Sequence, residues 1–335
     1  MNRIADCGYQ KKHKVKKIKW LLLPISIVVW SQKKDSTIEK SLKSQSYILK
    51  DGSVRTYHKP KLFEFITRAP KDFIDTNKDF VAKDHAYYLG GAIASTLVLI
   101  PFDQKLIDNS RELGEKWGMS ADNNYSKIGG VIKIPKDIGS GLYLIGNGST
   151  VVLLGIGFAT YGWIKDDYRA QATASGLMES LLLSGVFSQT IKRITGRESP
   201  FIAIENGNPG GHWTPFPRFA AFAKNTSSYD AMPSGHLTTF MSAITVIADN
   251  YPDAVWIKPV GYTLAGAMAF QMMQSQVHWA SDYPLALLMG YFIGKTISKN
   301  RYTVSGASTG KVKYKLNFIA STNLGYNMVG VNVSF

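Results

Sequence analysis

The sequence Ala231-Met-Pro-Ser-Gly-His-Leu-Thr-Thr-Phe240 joins a tight turn to an apolar run. Proline and glycine are typical of turns, and Ser234 is a favourable residue immediately before a helix. The free N–H groups of a helix start, the Ser234 hydroxyl and the His236 imidazole would then surround one point, and such a point binds anions. This stretch therefore predicts a helix whose first turn, including Gly235, forms an anion site. The simpler alternative is a turn into a helix without further function.

A second histidine lies four residues before an aspartate, in His278-Trp-Ala-Ser-Asp282. If this segment is helical, a spacing of one turn places both side chains on one face. A carboxylate in that position holds the imidazole in one tautomer and raises its basicity, which suits a nucleophile or a base. Taken alone, the pair is typical of a surface or capping contact. Together with the anion site it indicates phosphoryl chemistry.

Phosphoryl chemistry also needs fixed positive charge, and a cationic segment lies upstream in Lys192-Arg-Ile-Thr-Gly-Arg-Glu-Ser-Pro200. It follows an apolar stretch that suits a buried helix. Gly196 permits a helix end there, and Pro200 discourages continuation of the helix. The alternative interpretation is that these cations merely complement the helix dipole or face water.

On these residues the chain resembles the type 2 phosphatidic acid phosphatase superfamily, which also contains bacterial acid phosphatases and vanadium haloperoxidases. The family pattern is Lys, six residues, Arg-Pro; then Pro-Ser-Gly-His; then Ser-Arg, five residues, His, three residues, Asp. Lys192 and Pro200 match the first motif, and residues 233–236 match the whole of the second. His278 and Asp282 match the third.

Both motif arginines are replaced, and the Ser-Arg pair of the third motif reads Gln271-Met272. Ser199 stands where the first motif has its arginine, and Met272 stands where the third motif has its arginine. Each missing guanidinium is a permanently charged bidentate donor, and one positioned donor is commonly worth roughly 3 kcal/mol in the transition state. Arg193, Arg197 and Arg218 are candidate replacements, and we assign Arg197 to the predicted phosphate-binding set.

The resemblance implies a metal-independent phosphatase that uses no cofactor. In that mechanism His278 attacks phosphorus to form a phosphohistidine, and Asp282 fixes its tautomer. His236 protonates the leaving oxygen and later activates water. Lys192, the Ser234 hydroxyl and the Gly235 N–H, together with Arg197, are the phosphate ligands. The other histidines show no metal-ligand spacing; they are His13, His58, His85 and His212.

Two other functions remain open. A phosphate-binding or structural relative with lost or weakened catalysis would explain Ser199 and Met272. A vanadium-dependent haloperoxidase is a weaker alternative, because its cofactor needs more arginine contacts than the motifs supply.

Apolar segments with short connections predict an all-α fold, a bundle of about six core helices with the site at helix ends. The predicted helical segments are 86–102, 106–117, 138–164, 170–194, 237–248, 259–273 and 283–297. Residues 123–135 read as a loop. After residue 300, two runs of alternating apolar and polar residues around a turn at 321–325 predict a β-hairpin.

These features divide the chain into four parts. Residues 1–31 have a basic run before a short apolar core, which predicts an export signal or an N-terminal anchor. Residues 32–83 are polar and predict an extended lead-in with at most short amphipathic helices. Residues 84–300 form the phosphatase-like helical domain, and residues 301–335 a linker with the C-terminal hairpin.

The 335 residues carry a net charge of +15, which implies an anionic partner. Nucleic acid is not favoured, because zinc-finger spacings and RNA-binding sheet patterns are missing from the sequence. Basic surface, apolar helices and the export signal together favour a lipid phosphate or another phosphomonoester as substrate, and a membrane surface as partner. We therefore expect an exported, membrane-associated protein of a bacterial cell envelope whose site faces the periplasm. The oligomeric state is left open.

Overall fold

The structure is a computed structural model that describes residues 43–128, 132–306, 315–323 and 326–334. It is predominantly helical, which confirms the predicted all-α bundle. The predicted signal or anchor at 1–31 lies outside the described residues. The α-helices are α1 (Glu64–Thr67), α2 (Ala69–Val81), α3 (Ala86–Leu99), α4 (Asp103–Lys116), α5 (Ile138–Ile145), α6 (Gly148–Ile164), α7 (Tyr168–Thr195), α8 (Pro200–Glu205), α9 (Phe219–Lys224), α10 (Gly235–Asn250), α11 (Ile257–Gln274) and α12 (Tyr283–Lys299).

Helices α7, α10 and α12 form the centre of the bundle. Leu177, Val246 and Ile293 come from these three helices and are fully buried in one apolar cluster. Helix α12 approaches α10 closely because two glycines face it, and a Cβ at Gly290 or Gly294 would lie 2.5 Å from a carbonyl oxygen of α10. Burial of such side chains, each worth about 1.5–3 kcal/mol, fixes the three helices that carry the motifs.

The predicted helix over 138–164 is divided into α5 and α6, which are bent by 69°. The break has a local cause, because Asn147 caps α6 and its side-chain oxygen accepts from the Ser149 N–H at 3.1 Å. At the break, a Cβ on Gly146 would lie 2.9 Å from the Cβ of His236. The bend therefore packs α5 and α6 against the start of α10.

The polar lead-in has more structure than the sequence predicts. Its strands β1 (Ser44–Ile48) and β2 (Val54–His58) form an antiparallel sheet with β5 (Tyr302–Ser305), which lies in the predicted C-terminal linker. Helix α2 runs for 13 residues, and Phe73 and Phe80 on one of its faces pack against Phe187. Sheet pairing and burial of two aromatic rings thus order a segment whose composition alone suggests extended chain.

Two hairpins complete the described part of the chain. Strands β3 (Tyr125–Ile128) and β4 (Ile132–Pro135) pair within the predicted loop at 123–135, beside α5. The predicted C-terminal hairpin is confirmed as β6 (Lys315–Asn323) and β7 (Tyr326–Ser334), which pair in register from Lys315 with Ser334 to Asn323 with Tyr326.

One continuous helical stretch in the described residues, Lys83–Lys116, is long and apolar enough to cross a membrane. Only 6% of its most apolar window is buried inside the protein. The bent pair α5 and α6 would add a second crossing if both helices belong to one span.

Candidate active site

The first motif lies at the C-terminal end of α7. Lys192 is in its last turn and is 7% exposed. Gly196 then ends the helix in the left-handed region at φ 55°, and a Cβ there would lie 1.8 Å from the carbonyl oxygen of Thr214. Only glycine fits this position. Beyond it, the Ala231 N–H donates to the Arg197 carbonyl oxygen at 2.9 Å, which ties the first motif to the approach of the second.

The second motif forms the start of α10, as predicted. Ser234 is the residue before the helix, and its hydroxyl oxygen accepts from the Leu237 N–H at 3.4 Å. The Ser234 N–H donates to the main-chain carbonyl oxygen of Asp282 at 3.3 Å. A main-chain contact therefore fixes the helix start beside the third motif. The first N–H groups of α10 have no partner within the helix, which is the condition for an anion site.

The third motif reaches its geometry by a turn and not by a continuous helix. Trp279 is extended, and a short 3₁₀ turn, Ala280–Asp282, precedes α12. The Trp279 N–H donates to Asp282 Oδ2 at 2.8 Å and closes this turn. His278 Nδ1 lies 3.5 Å from the same Oδ2, slightly beyond good hydrogen-bond geometry. The imidazole and the carboxylate therefore lie side by side, although the segment is not the helical turn that the spacing suggests.

The structure brings Lys192, His236 and His278 together, and we call these three residues the histidine cluster. The two imidazole rings are 6.3 Å apart between centroids. Lys192 Nζ lies 3.9 Å from the position that a Cβ on Gly235 would occupy. Two imidazoles, an ammonium group and a helix N-terminus thus face one small region.

Arg197 is not part of this cluster. Its guanidinium is fully buried, and it donates to Asp282 Oδ1 at 2.7 Å, Asp103 Oδ2 at 2.6 Å and Ser281 Oγ at 2.6 Å. A fourth bond goes to the Gly210 carbonyl oxygen. Both terminal nitrogens are therefore occupied, and this residue is placed to position Asp282. The predicted role of Arg197 as a phosphate ligand does not fit this geometry.

The other substituted and candidate positions are also occupied. Ser199 precedes α8 and its hydroxyl lies 3.5 Å from Asp230 Oδ1, while Met272 is fully buried with its sulfur 3.7 Å from the Ser234 hydroxyl. Arg193 stacks over the Phe222 ring at 3.5 Å. Arg218 is exposed just before α9. None of these contacts directs a guanidinium to the histidine cluster.

Three residues at the site are not predicted from the sequence. Asp230 lies 3.4 Å from Lys192 Nζ, and the Tyr143 ring is 4.5 Å from the His236 ring between centroids. Lys133, on β4, is near enough for its charge to act on His236. The sequence gives one signal for Asp230: it lies three residues before Pro233, and this short separation keeps it near the second motif. Tyr143 lies on α5 and Lys133 on the adjacent hairpin, and neither element contains a motif that would predict its position at the site.

The electrostatics of the two imidazoles differ. Burial, assisted by the proximity of His278, Lys192 and Lys133, lowers the pKa of His236 to about 3. Burial alone would raise the pKa of Asp282, but the adjacent Arg197 guanidinium and His278 outweigh it, and the pKa is lowered. At neutral pH the free site therefore holds a neutral His236, while a carboxylate faces Nδ1 of His278.

In the described part of the chain, no three His, Cys, Asp or Glu side chains are grouped so that they could hold a metal ion. The ammonium group of Lys192 and the two imidazoles lie around the N-terminus of α10, an arrangement that suits an oxyanion.

Comparison with known proteins gives a family for this region. Residues 173–304 match the family model described as the PAP2 superfamily. No curated protein and no solved structure shows a significant match. The matched segment runs from α7 to β5 and contains all three motifs. The resemblance drawn from those motifs is thereby confirmed over residues 173–304, which match the PAP2 superfamily.

Proposed function

We propose that the chain is a phosphatase that hydrolyses a phosphate monoester or diphosphate through a phosphohistidine intermediate. The match to the PAP2 superfamily supports a phosphatase-type function at the level of the family. The observation that carries the proposal is the approach of His278, His236 and Lys192 to the first turn of α10.

His278 is the nucleophile in this proposal. Its Nδ1 faces the Asp282 carboxylate, which leaves Nε2 free to attack phosphorus. A P–N bond forms as the P–O bond to the leaving group breaks, and His236 supplies the proton that the leaving oxygen takes up. In the second step His236 removes a proton from water, the resulting hydroxide attacks phosphorus, and the P–N bond breaks to release phosphate and His278.

The phosphate oxygens are held by the remaining groups of the site. Lys192 supplies one positive charge, the Ser234 hydroxyl supplies a donor, and the Gly235 N–H is one of the free donors at the start of α10. Such fixed donors stabilise the charge that develops in the transition state.

A lipid phosphate is the substrate class that we propose. The net charge of +15 and the exposed apolar face of Lys83–Lys116 support association with an anionic membrane surface. Export to a cell envelope, with the site facing the periplasm, rests on the predicted signal at 1–31, which lies outside the described residues.

A second candidate function is phosphate binding with weak or no turnover. One contact favours this function. The Asp230 carboxylate lies 3.4 Å from Lys192 Nζ and compensates its charge, whereas the family pattern has two arginines that add positive charge to the site. The fully buried Met272 provides no compensating cation.

Hydrolysis of 4-nitrophenyl phosphate by the purified chain, followed by inhibition with vanadate, separates the two functions. We expect turnover that vanadate inhibits. Vanadate binding without any turnover would instead support the phosphate-binding function.

Replacing Asp230 by asparagine tests the competition for Lys192. The carboxylate repels a phosphate dianion and pairs with the only motif cation that remains, so we expect Asp230→Asn to bind phosphate and vanadate about tenfold more tightly. Inhibition constants provide the measurement. Glu115→Gln, which removes one exposed negative charge from α4, is the matched control and should change little. Weaker binding by Asp230→Asn would show that this carboxylate holds Lys192 in place.

A further inference from the structure

A continuous groove runs along the outer side of α6, α10 and α11, away from the histidine cluster. Two cavities of about 570 and 410 Å³ share Leu154, Phe158 and Tyr251 as walls. Tyr251 follows the C-terminal end of α10, and His236 lies in the first turn of the same helix. Fifteen residues of helix separate them by about 22 Å. The groove is therefore a second feature, distinct from the phosphatase site.

The two ends of the groove differ in chemistry. The smaller cavity is lined by apolar side chains from α10 and α11, among them Ile244, Val260 and Leu264. The larger cavity has both Arg169 and Asp167 in its wall, at the N-terminal end of α7. One end thus suits hydrocarbon, and the other offers a guanidinium beside a carboxylate.

Arg169 is held rigidly but its hydrogen-bonding capacity is not used up. Its guanidinium lies between the rings of Tyr47 and Tyr251, 4.5 and 4.4 Å from their centroids. Its buried Nε atom has no hydrogen-bond partner in the part of the chain that the structure describes. One oxygen of the nearby Asp167 carboxylate, Oδ1, accepts from the Ala170 N–H and the Tyr47 hydroxyl. A phosphate group at the polar end of the groove would complement the charge of this guanidinium.

The surroundings of the groove suit a bilayer. Trp256, in the wall of its apolar end, is 63% exposed, and Leu153, in the wall of the larger cavity, is 57% exposed. Exposed tryptophan beside apolar side chains is typical of a membrane interface. Charged residues, including Lys165 and Asp166, follow directly after α6.

We propose that this groove binds one anionic phospholipid of the bilayer, with its phosphate group at Arg169 and an acyl chain along Phe158 toward Leu264. The inference rests on the membrane association proposed above and not on hydrolysis, because no residue of the histidine cluster lines the groove. Stacked between two rings, Arg169 presents a planar donor of fixed orientation to a phosphate.

The test uses mass spectrometry of the intact full-length chain in neutral detergent, titrated with phosphatidylglycerol or with phosphatidylcholine of the same acyl chains. We expect one phosphatidylglycerol to be retained in preference to phosphatidylcholine. Arg169→Gln should weaken phosphatidylglycerol binding about tenfold and remove the preference. Lys224→Gln, which removes one exposed positive charge from α9, is the matched control and should keep both.

A second pair of variants tests the shape of the groove. One variant blocks the groove, and the other adds the same side chain elsewhere as the control. A Cβ at Gly157, which lines the groove, or at Gly185 on α7 would meet no heavy atom within 4 Å. We expect Gly157→Leu to reduce retention of phosphatidylglycerol at least tenfold and Gly185→Leu to leave it unchanged. Equal retention of the two lipids by the unaltered chain, unchanged binding by Arg169→Gln, or equal effects of the two glycine variants would each overturn the proposal. Hydrolysis of 4-nitrophenyl phosphate, measured on the same samples, reports separately on the phosphatase function.

Discussion

His278→Ala is expected to lower the turnover of 4-nitrophenyl phosphate by at least about 10⁴-fold, because the nucleophile that forms the P–N bond is lost. Binding of vanadate should weaken but persist, since the N-terminus of α10 and Lys192 remain. Initial rates and vanadate titration provide the measurements. The imidazole is only 4% exposed, so far-ultraviolet circular dichroism of the variant is needed to show that the fold is kept.

A matched control and a chemical trap make this result specific. His58→Ala removes an exposed imidazole from β2 and should leave turnover unchanged. His236→Ala should slow breakdown of the intermediate more than its formation, because water then lacks its base. Label from a phosphorus-radiolabelled substrate should then remain on His236→Ala as an acid-labile adduct and be absent from His278→Ala. Substantial activity in His278→Ala would exclude the phosphohistidine route.

Local features of this fold were predictable because they depend on neighbouring residues. Ser234 before a helix start, Gly196 at a helix end and the alternation in the C-terminal hairpin each determine structure within a few positions. The helical bundle follows from the apolar segments in the same way. These are the parts of the sequence analysis that the structure confirms.

The rest depends on contacts between distant residues. β2 and β5 are about 250 residues apart in sequence, so neither has a sequence signal for the other. Tyr143 and Lys133 reach His236 from α5 and β4, elements that precede it by about 90 and 100 residues in the chain. The role of Arg197 likewise depends on Asp103, 94 residues earlier. From the sequence alone, a cation beside a motif lysine is more simply interpreted as a phosphate ligand.

Arg197→Met is expected to destabilise the protein by about 3–5 kcal/mol, the cost of removing one partner from a buried ion pair. Both Asp103 and Asp282 are fully buried, and the Arg197 guanidinium lies between them, stacked near the rings of Trp213 and Trp279. Without the Arg197 guanidinium, the Asp103 and Asp282 carboxylates would be buried together without the cation that compensates their charge. Unfolding in guanidinium chloride at pH 7 measures the loss. Arg193→Met, which removes a guanidinium that stacks on the partly exposed side of α7, should cost about 1 kcal/mol or less.

The double variant distinguishes lost charge compensation from lost packing. If the uncompensated carboxylates dominate, Arg197→Met combined with Asp103→Asn should be less destabilised than the sum of the single changes, with a coupling of about 1–3 kcal/mol. The loss in Arg197→Met should also shrink as the pH falls from 7 to 5. A buried carboxylate without its cation binds protons more readily than the same group in the unfolded chain, so acid favours the folded variant. Additive effects and a loss independent of pH would instead assign the contribution of Arg197 to its stacking between the two tryptophans.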